Sequence, residues 1–354
     1  MKMAPVLRAL DTYKDVETVL IHTGQHYDKN LSDVFFEELQ IKKPDVFLGV
    51  GSGSHAKQTA EVMVAVERII NERAAGGTPL DRLIVVGDVN STVAAAIAAA
   101  KCNVPVAHVE AGLRSFDRTM PEEINRILTD SISDLLFVSE PAGVDNLKRE
   151  GHSDESIHLV GNVMIDTLMS QVDQAKTRDT LERFGLQPKR YGVVTLHRPS
   201  NVDDASVLTR IMGVLATLSS ELPFIFPIHP RTLSKLNEFG ILEKIKSAKA
   251  NIQFVEPLSY LDFLCLTSQP LAILTDSGGL QEESTALGVP CLTLRENTER
   301  PITCELGTGT LIGNSSSRLM EEFRSIMDGE YKKGQVPELW DGNAARRIAS
   351  ILCR

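Results

Sequence analysis

"RLIVVGDVNSTVAAAIAAAKCNVPVAHVEA" (82–111) is the stretch on which the fold turns. A β-branched run at 82–88 gives way to an alanine-rich stretch with helical spacing at 90–101, and a second β-branched run follows at 104–111. Strand, helix and strand in so short a span form a βαβ unit, and strands joined through helices run parallel.

The same alternation extends both ways. Toward the N-terminus it predicts strands at 16–23 and 45–50 with a helix at 55–72. Toward the C-terminus it predicts a helix at 121–133 and strands at 135–139 and 157–161. A more polar stretch at about 170–190 precedes a second set of strands at 191–197, 223–229, 251–257, 271–277 and 290–295. The expected class is α/β, with two doubly wound parallel sheets. We assign residues 1–168 to the first domain and 169–337 to the second, with a hinge near residue 170. The last helical stretch, within 338–354, is expected to pack back on the first domain.

With 354 residues, the chain is longer than a single hydrophobic core usually supports. A net charge of −10 argues against a nucleic-acid surface, which needs a basic field, so an anionic ligand would need a local pocket. The five cysteines form no CxxC pair, and no apolar run reaches membrane-spanning length. A cytoplasmic protein is expected, with no membrane or nucleic-acid partner. No metal site is expected: the histidines lack HExxH or Cys/His spacing, and His22 and His26 have no matching ligands nearby.

Ligands of open parallel sheets bind at the carboxyl ends of strands. Polar groups stand where strand patterns stop: Asp88, Glu110, His197, His229 and Ser277. In "TDSGGLQEES" (275–284), Ser277, Gly278 and Gly279 end a strand and open a helix, leaving bare N–H groups for a phosphate. Glu282 and Glu283 follow one turn later, where a carboxylate suits a ribose diol. Arg295 and Arg300 in "RENTERP" (295–301) are candidates to clamp a diphosphate. Acids placed like Glu122 and Glu123, just after a proline, also favour a helix start for plain electrostatic reasons. Glu110 stands between apolar neighbours, where an unpaired carboxylate is costly.

As a set, "TGQHYD", "GDVNST", "HVEAGLRSFDRTMPEEINRILTD", "GNVMIDTL", "LHRPSN", "TDSGGLQEES", "RENTERP" and "GTGTLIG" span residues 23 to 313. In that order they resemble the non-hydrolysing UDP-N-acetylglucosamine 2-epimerases. The resemblance implies a GT-B fold: two Rossmann-like domains with the nucleotide-sugar in the cleft between them. It implies inversion at C2 of UDP-N-acetylglucosamine, giving UDP-N-acetylmannosamine for surface polysaccharide precursors. UDP leaves C1 as C2 is deprotonated, a glycal forms, and UDP re-adds after a proton arrives on the other face. No cofactor is implied, and the partner beyond the UDP-sugar is a second copy in a homodimer. By resemblance Asp88, Glu110 and Glu122 take acid/base and sugar-ring roles, and His197 meets the leaving diphosphate. Ser277, Gly278 and Gly279 hold phosphate oxygens with Arg300 nearby, Glu283 the ribose, and Phe263 lines the uracil pocket.

The opening "MKMAPVLRAL" (1–10) resembles the helix that follows the family's first strand and its "GTRPE" turn. The expectation is a chain with that first strand, turn and arginine missing, and with the active-site lysine kept as Lys2. Ser200 stands where many members have glutamate. Gln25 matches one of two glutamines used by substrate-activated relatives, and Asp28 replaces the other, which argues against such activation. Three alternatives remain: a 2-epimerase of a UDP-diacetamido-uronic acid, a GT-B glycosyltransferase, and a truncated inactive UDP-sugar binder.

Overall fold

The computed structural model describes residues 1–24, 38–39 and 41–354; Gln25, His26 and Asp28 lie outside these. The chain divides into two compact units, Met1–Thr167 with Glu338–Arg354, and Leu168–Pro337.

In the first unit the strands are β1 (Ile21–His22), β2 (Val46–Phe47), β3 (Leu83–Val86), β4 (Val106–Ala111), β5 (Leu135–Val138) and β6 (Ile157–Leu159). β1 pairs with β2, and β3-β4-β5-β6 form a separate sheet; every pair is parallel. All six residues of β4 are buried, as expected for an inner strand covered on both faces. Ala94, Ala98 and Ala99 of helix Asn90–Lys101 share a core with Val62, Val66 and Ile70 of helix His55–Ala75. Small alanine side chains bring helix backbones close, so the alanine run serves packing as well as propensity. A second core joins Val6, Ala9 and Leu10 of helix Met3–Leu10 to Ala107, Val109 and Phe137 of the sheet and Ala345 and Ile348 of helix Ala344–Leu352. Asp166 fixes that last helix by accepting the N–H groups of Ala344 (3.1 Å) and Ala345 (2.7 Å), orphan donors of its first turn.

The second unit holds β7 (Gly192–Thr195), β8 (Phe224–Pro227), β9 (Ile252–Val255), β10 (Ala272–Thr275), β11 (Cys291–Thr293) and β12 (Gly309–Leu311). Their order is β12-β11-β10-β7-β8-β9, all parallel. The chain steps outward from β7 to β9, then returns to β10 on the other side of β7. The winding reverses between β7 and β10, and such switch points leave a crevice beyond the strand ends.

Two differences from the sequence reading have local causes. Residues 163–176 form one helix, Val163–Lys176, which the sequence reading did not include among its helical stretches and which runs into the polar stretch at about 170–190. Its buried Leu168, Val172 and Ala175 lie at helical spacing, diluted by exposed polar neighbours. The run at 16–23 becomes a strand only at Ile21–His22, where Val46–Phe47 supplies a partner.

Candidate active site

In the first unit, the candidate groups sit on the ends of β3 and β4. Glu110 has φ +72°, inside an irregularity of register between Val109 and Ala111. A left-handed backbone costs a residue with a side chain about 1 kcal/mol, so neighbours must enforce it. Glu110 is 4% exposed; its Oε2 pairs with the Lys2 ammonium, and its Oε1 has no hydrogen-bond partner among the described residues. Gly87, at the end of β3 with φ +71°, faces the same pair: a Cβ there would lie 3.3 Å from Lys2 Nζ and 3.6 Å from Glu110 Oε2. Lys2, Gly87 and Glu110 therefore form one close group.

Asp88 follows Gly87, and its carboxylate pairs with Arg126 Nη1. Arg126 is itself buried and held by Glu123, with Nη2 2.8 Å and Nε 3.1 Å from Glu123 Oε2. Glu123 also accepts the N–H groups of Ser115 and Phe116, both at 2.9 Å. Burial works against its charge, and the Ser115 N–H, Arg126 and the Phe116 N–H outweigh that, holding its carboxyl below the usual range. Asn125 Nδ2 donates to the Asp88 carbonyl at 2.9 Å. Glu122, one residue earlier on helix Pro121–Ser131, is exposed and stands apart from these contacts. Proline at the helix start sets the turn so that Glu123 and Arg126, three apart, share the inward face. The Asp88–Arg126–Glu123 chain is absent from the sequence reading; the i, i+3 spacing of an acid and an arginine was its visible trace.

The second unit places its candidates at the switch point. His197 lies beyond β7 and Asp276 beyond β10, and the two strands are neighbours. Asp276 is fully buried and accepts the N–H groups of His197 (3.0 Å) and Arg198 (2.9 Å) and the Asn201 side-chain amide (3.1 Å). Its Oδ1 is 2.9 Å from His197 Nδ1. A carboxylate only accepts, so Nδ1 carries the proton and Nε2 is the nitrogen left for a ligand. Burial opposes the Asp276 charge, but His197 and the converging N–H groups hold its carboxyl below the ordinary range. Asp276 was not among the sequence candidates, although it sits beside Ser277 in "LTDSGG". His229, beyond β8, accepts the Arg231 N–H at its own Nδ1, and its ring centre is 6.2 Å from that of His197.

Ser277 precedes helix Gly278–Leu287 and its side chain caps none of the helix N–H groups, so those donors stay available for an anion. At Gly278 a Cβ would meet Arg300 Nη1 at 2.9 Å and Glu299 Oε1 at 3.0 Å, so any larger residue would have to displace the tips of that pair. Arg300 pairs with Glu299 and, through Nε at 2.7 Å, with Glu282; Arg295 pairs with Glu299 at 2.7 Å. Burial would raise the Glu299 carboxyl, but Arg300 and Arg295 drive it far down. Glu283 is buried with no such cation among the described residues: burial, then the charge of Glu282, pushes it up to about 8. Tyr260, on helix Tyr260–Ser268, senses Glu283, and its hydroxyl lacks a partner among the described residues. Phe263, on the same helix, is half-buried against the core that includes Leu280. Gly279 lies in the first turn beside Gly278.

Residues 8–353 match the sequence model of UDP-N-acetylglucosamine 2-epimerases. The chain belongs to the UDP-N-acetylglucosamine 2-epimerase family. It is 41% identical to a UDP-N-acetylglucosamine 2-epimerase of Methanococcus maripaludis, over 99% of this chain and 94% of that protein. It is 36% identical to a UDP-2,3-diacetamido-2,3-dideoxy-D-glucuronate 2-epimerase of Pseudomonas aeruginosa, over 100% and 96%. Among solved structures, the Methanocaldococcus jannaschii UDP-GlcNAc 2-epimerase in complex with UDP-GlcNAc and UDP superposes with a TM-score of 0.87 at 40% identity, covering 99% of this chain and 96% of that one. Two parallel α/β units are thus the family's GT-B class of fold. Among the described residues, no helix of this epimerase-family chain is long and apolar enough to cross a membrane.

Proposed function

We propose that this chain inverts C2 of UDP-N-acetylglucosamine, giving UDP-N-acetylmannosamine by elimination and re-addition of UDP. The observation that carries the reading is the 41% identity to the M. maripaludis 2-epimerase over 99% of the chain. The chemistry agrees with the residues. The C2 hydrogen of the sugar has no adjacent carbonyl, so its removal is coupled to departure of UDP: the C2–H and C1–O bonds break as C1=C2 forms. Return of UDP to C1, with a proton delivered to the opposite face of C2, completes the inversion.

Asp88, Glu110 and Glu122 are the proposed acid/base and sugar-ring groups, with Lys2 beside Glu110. His197, oriented by Asp276, offers Nε2 to the leaving diphosphate. Gly278 and Gly279 present helix N–H groups and Ser277 its hydroxyl to phosphate oxygens, Arg300 supports them, Glu283 meets the ribose, and Phe263 lines the uracil pocket. The reading includes a cytoplasmic homodimer supplying surface-polysaccharide precursors, and light scattering in solution tests the dimer.

A second reading, a 2-epimerase of a UDP-diacetamido-uronic acid, is favoured by the 36% identity to the P. aeruginosa enzyme. Incubation with each UDP-sugar in heavy water, followed by proton NMR, separates the two. The expected result is UDP-N-acetylmannosamine with deuterium at C2; turnover of the uronate alone supports the second reading, and turnover of neither overturns both.

A further inference from the structure

His108 is wholly buried on β4, two residues before Glu110. Its Nε2 lies 2.9 Å from the carbonyl oxygen of Gly87, the residue before Asp88. Its Nδ1 lies 2.6 Å from Asp130 Oδ1. Asp130 Oδ2 accepts the N–H of Gly112 at 3.0 Å, two residues after Glu110, and lies 2.7 Å from Arg114 Nη2. Arg114 in turn reaches Glu150 through Nε (2.8 Å) and Nη2 (2.6 Å). One ring and one carboxylate therefore bind the backbone just before Asp88 and just after Glu110.

A carbonyl oxygen and an ionised carboxylate can only accept, so the ring must donate from both nitrogens. Burial opposes the charge on Asp130, yet His108 and Arg114 hold its carboxyl below the ordinary range, so it is ionised. The His108 ring and Arg114 then serve as the donors, with Asp130 and Glu150 as the acceptors. Lys2 and Glu110 also lie close to Gly87, and Asp88, the next residue, pairs with Arg126. None of the His108 and Asp130 contacts is spent on a candidate ligand group. Meanwhile Glu110 adopts φ +72°, a conformation that persists only where the surroundings over-determine it.

We propose that His108 and Asp130 are positioning residues for the proposed acid/base pair. The doubly protonated ring fastens the Gly87–Asp88 turn to the strained Glu110 segment and fixes the spacing of the two carboxylates. This rests on the 2-epimerase reading for its consequence in turnover, but not for its structural content.

The test has two arms. In protein labelled with 15N-histidine, His108 is expected to show a proton on both ring nitrogens at neutral pH; a bare nitrogen overturns the proposal. In the kinetic arm, His108→Gln can still donate to Gly87 but turns its carbonyl oxygen toward Asp130. Its kcat should fall about tenfold to a hundredfold, as for small misplacements of reacting groups, while KM and UDP affinity stay near those of the parent. Adding Asp130→Asn makes the facing groups complementary again, and the double variant should recover part of the lost kcat. If both variants merely melt earlier and the folded fraction keeps the parent kcat, the positioning role is wrong. Absence of turnover in the parent is a failure of the functional reading, and the NMR arm then decides this one alone. The same arm decides if the variants do not fold.

Discussion

At the scale of single residues, Asp276 carries more of the second unit's site than any group picked from the sequence. It fixes the tautomer of His197 through Nδ1 and anchors the His197–Arg198 backbone. Asp276→Asn puts an amide N–H₂ among donors, so the ring loses its partner. We expect kcat/KM to drop about a hundredfold, the scale of a displaced reacting group, with UDP binding less affected; kcat/KM equal to the parent's in folded protein contradicts this. Glu283 gives a prediction of opposite electrostatic sense. Its carboxyl, pushed up to about 8 from 4.5, holds a proton in the folded state that the unfolded chain gives up. Its effect on stability is therefore lost as pH rises through that window, because the native state binds the extra proton. Glu283→Gln should gain melting temperature relative to the parent at pH 8 and gain little at pH 5; an equal difference at both pH values counts against the buried-carboxyl account. The strand-end rule made Asp88, Glu110, His197 and Ser277 visible from the sequence. It could not separate Glu122 from Glu123, since one residue of helix rotation decides which faces inward. Nor could it mark Asp276 over Ser277, because either residue type is an ordinary end to a strand before a helix.

At the scale of elements, helix Pro121–Ser131 acts as a bracket. Glu123 binds Arg126 and the Ser115–Phe116 backbone, and Arg126 reaches Asp88. Phe116 has φ +59° and is 71% exposed, so burial of its ring does not hold that loop, and hydrogen bonds do, those to Glu123 among them. Glu123→Ala leaves the buried Arg126 with Asp88 as its remaining carboxylate and two N–H groups without their acceptor, and should cost about 3 kcal/mol, the low end for breaking a buried ion pair. Urea denaturation measures it, and a cost within error of zero would mean that the bracket is idle. The strands show why elements differ in legibility. β4 and β10 are mostly apolar and buried along their whole length, so their sequence signal is strong. β12 is three residues long and begins with glycine, and helix Val163–Lys176 is buried on every residue from Val163 to Leu168, polar Asp166 and Thr167 included. Neither a short edge strand nor a helix turn buried through polar residues leaves a clear apolar period.

At the scale of the whole chain, net charge sets how an anionic ligand arrives. The chain carries −10, and a UDP-sugar is itself an anion. The arginines near the proposed diphosphate site do not reverse this locally: Arg295 and Arg300 are matched by Glu299 and Glu282. Attraction for the diphosphate must then come from short-range donors, the helix N–H groups at Gly278 and the His197 ring, and not from a long-range field. Long-range repulsion between like charges is screened at about 10 Å in 0.1 M salt, whereas close hydrogen bonds are not. Raising salt from low to moderate concentration should therefore speed UDP association in stopped-flow while leaving dissociation nearly constant. A basic funnel would behave in the opposite way, with association slowing steeply as salt rises. That outcome would show that exposed cations, not the buried and neutralised arginines, guide the ligand in.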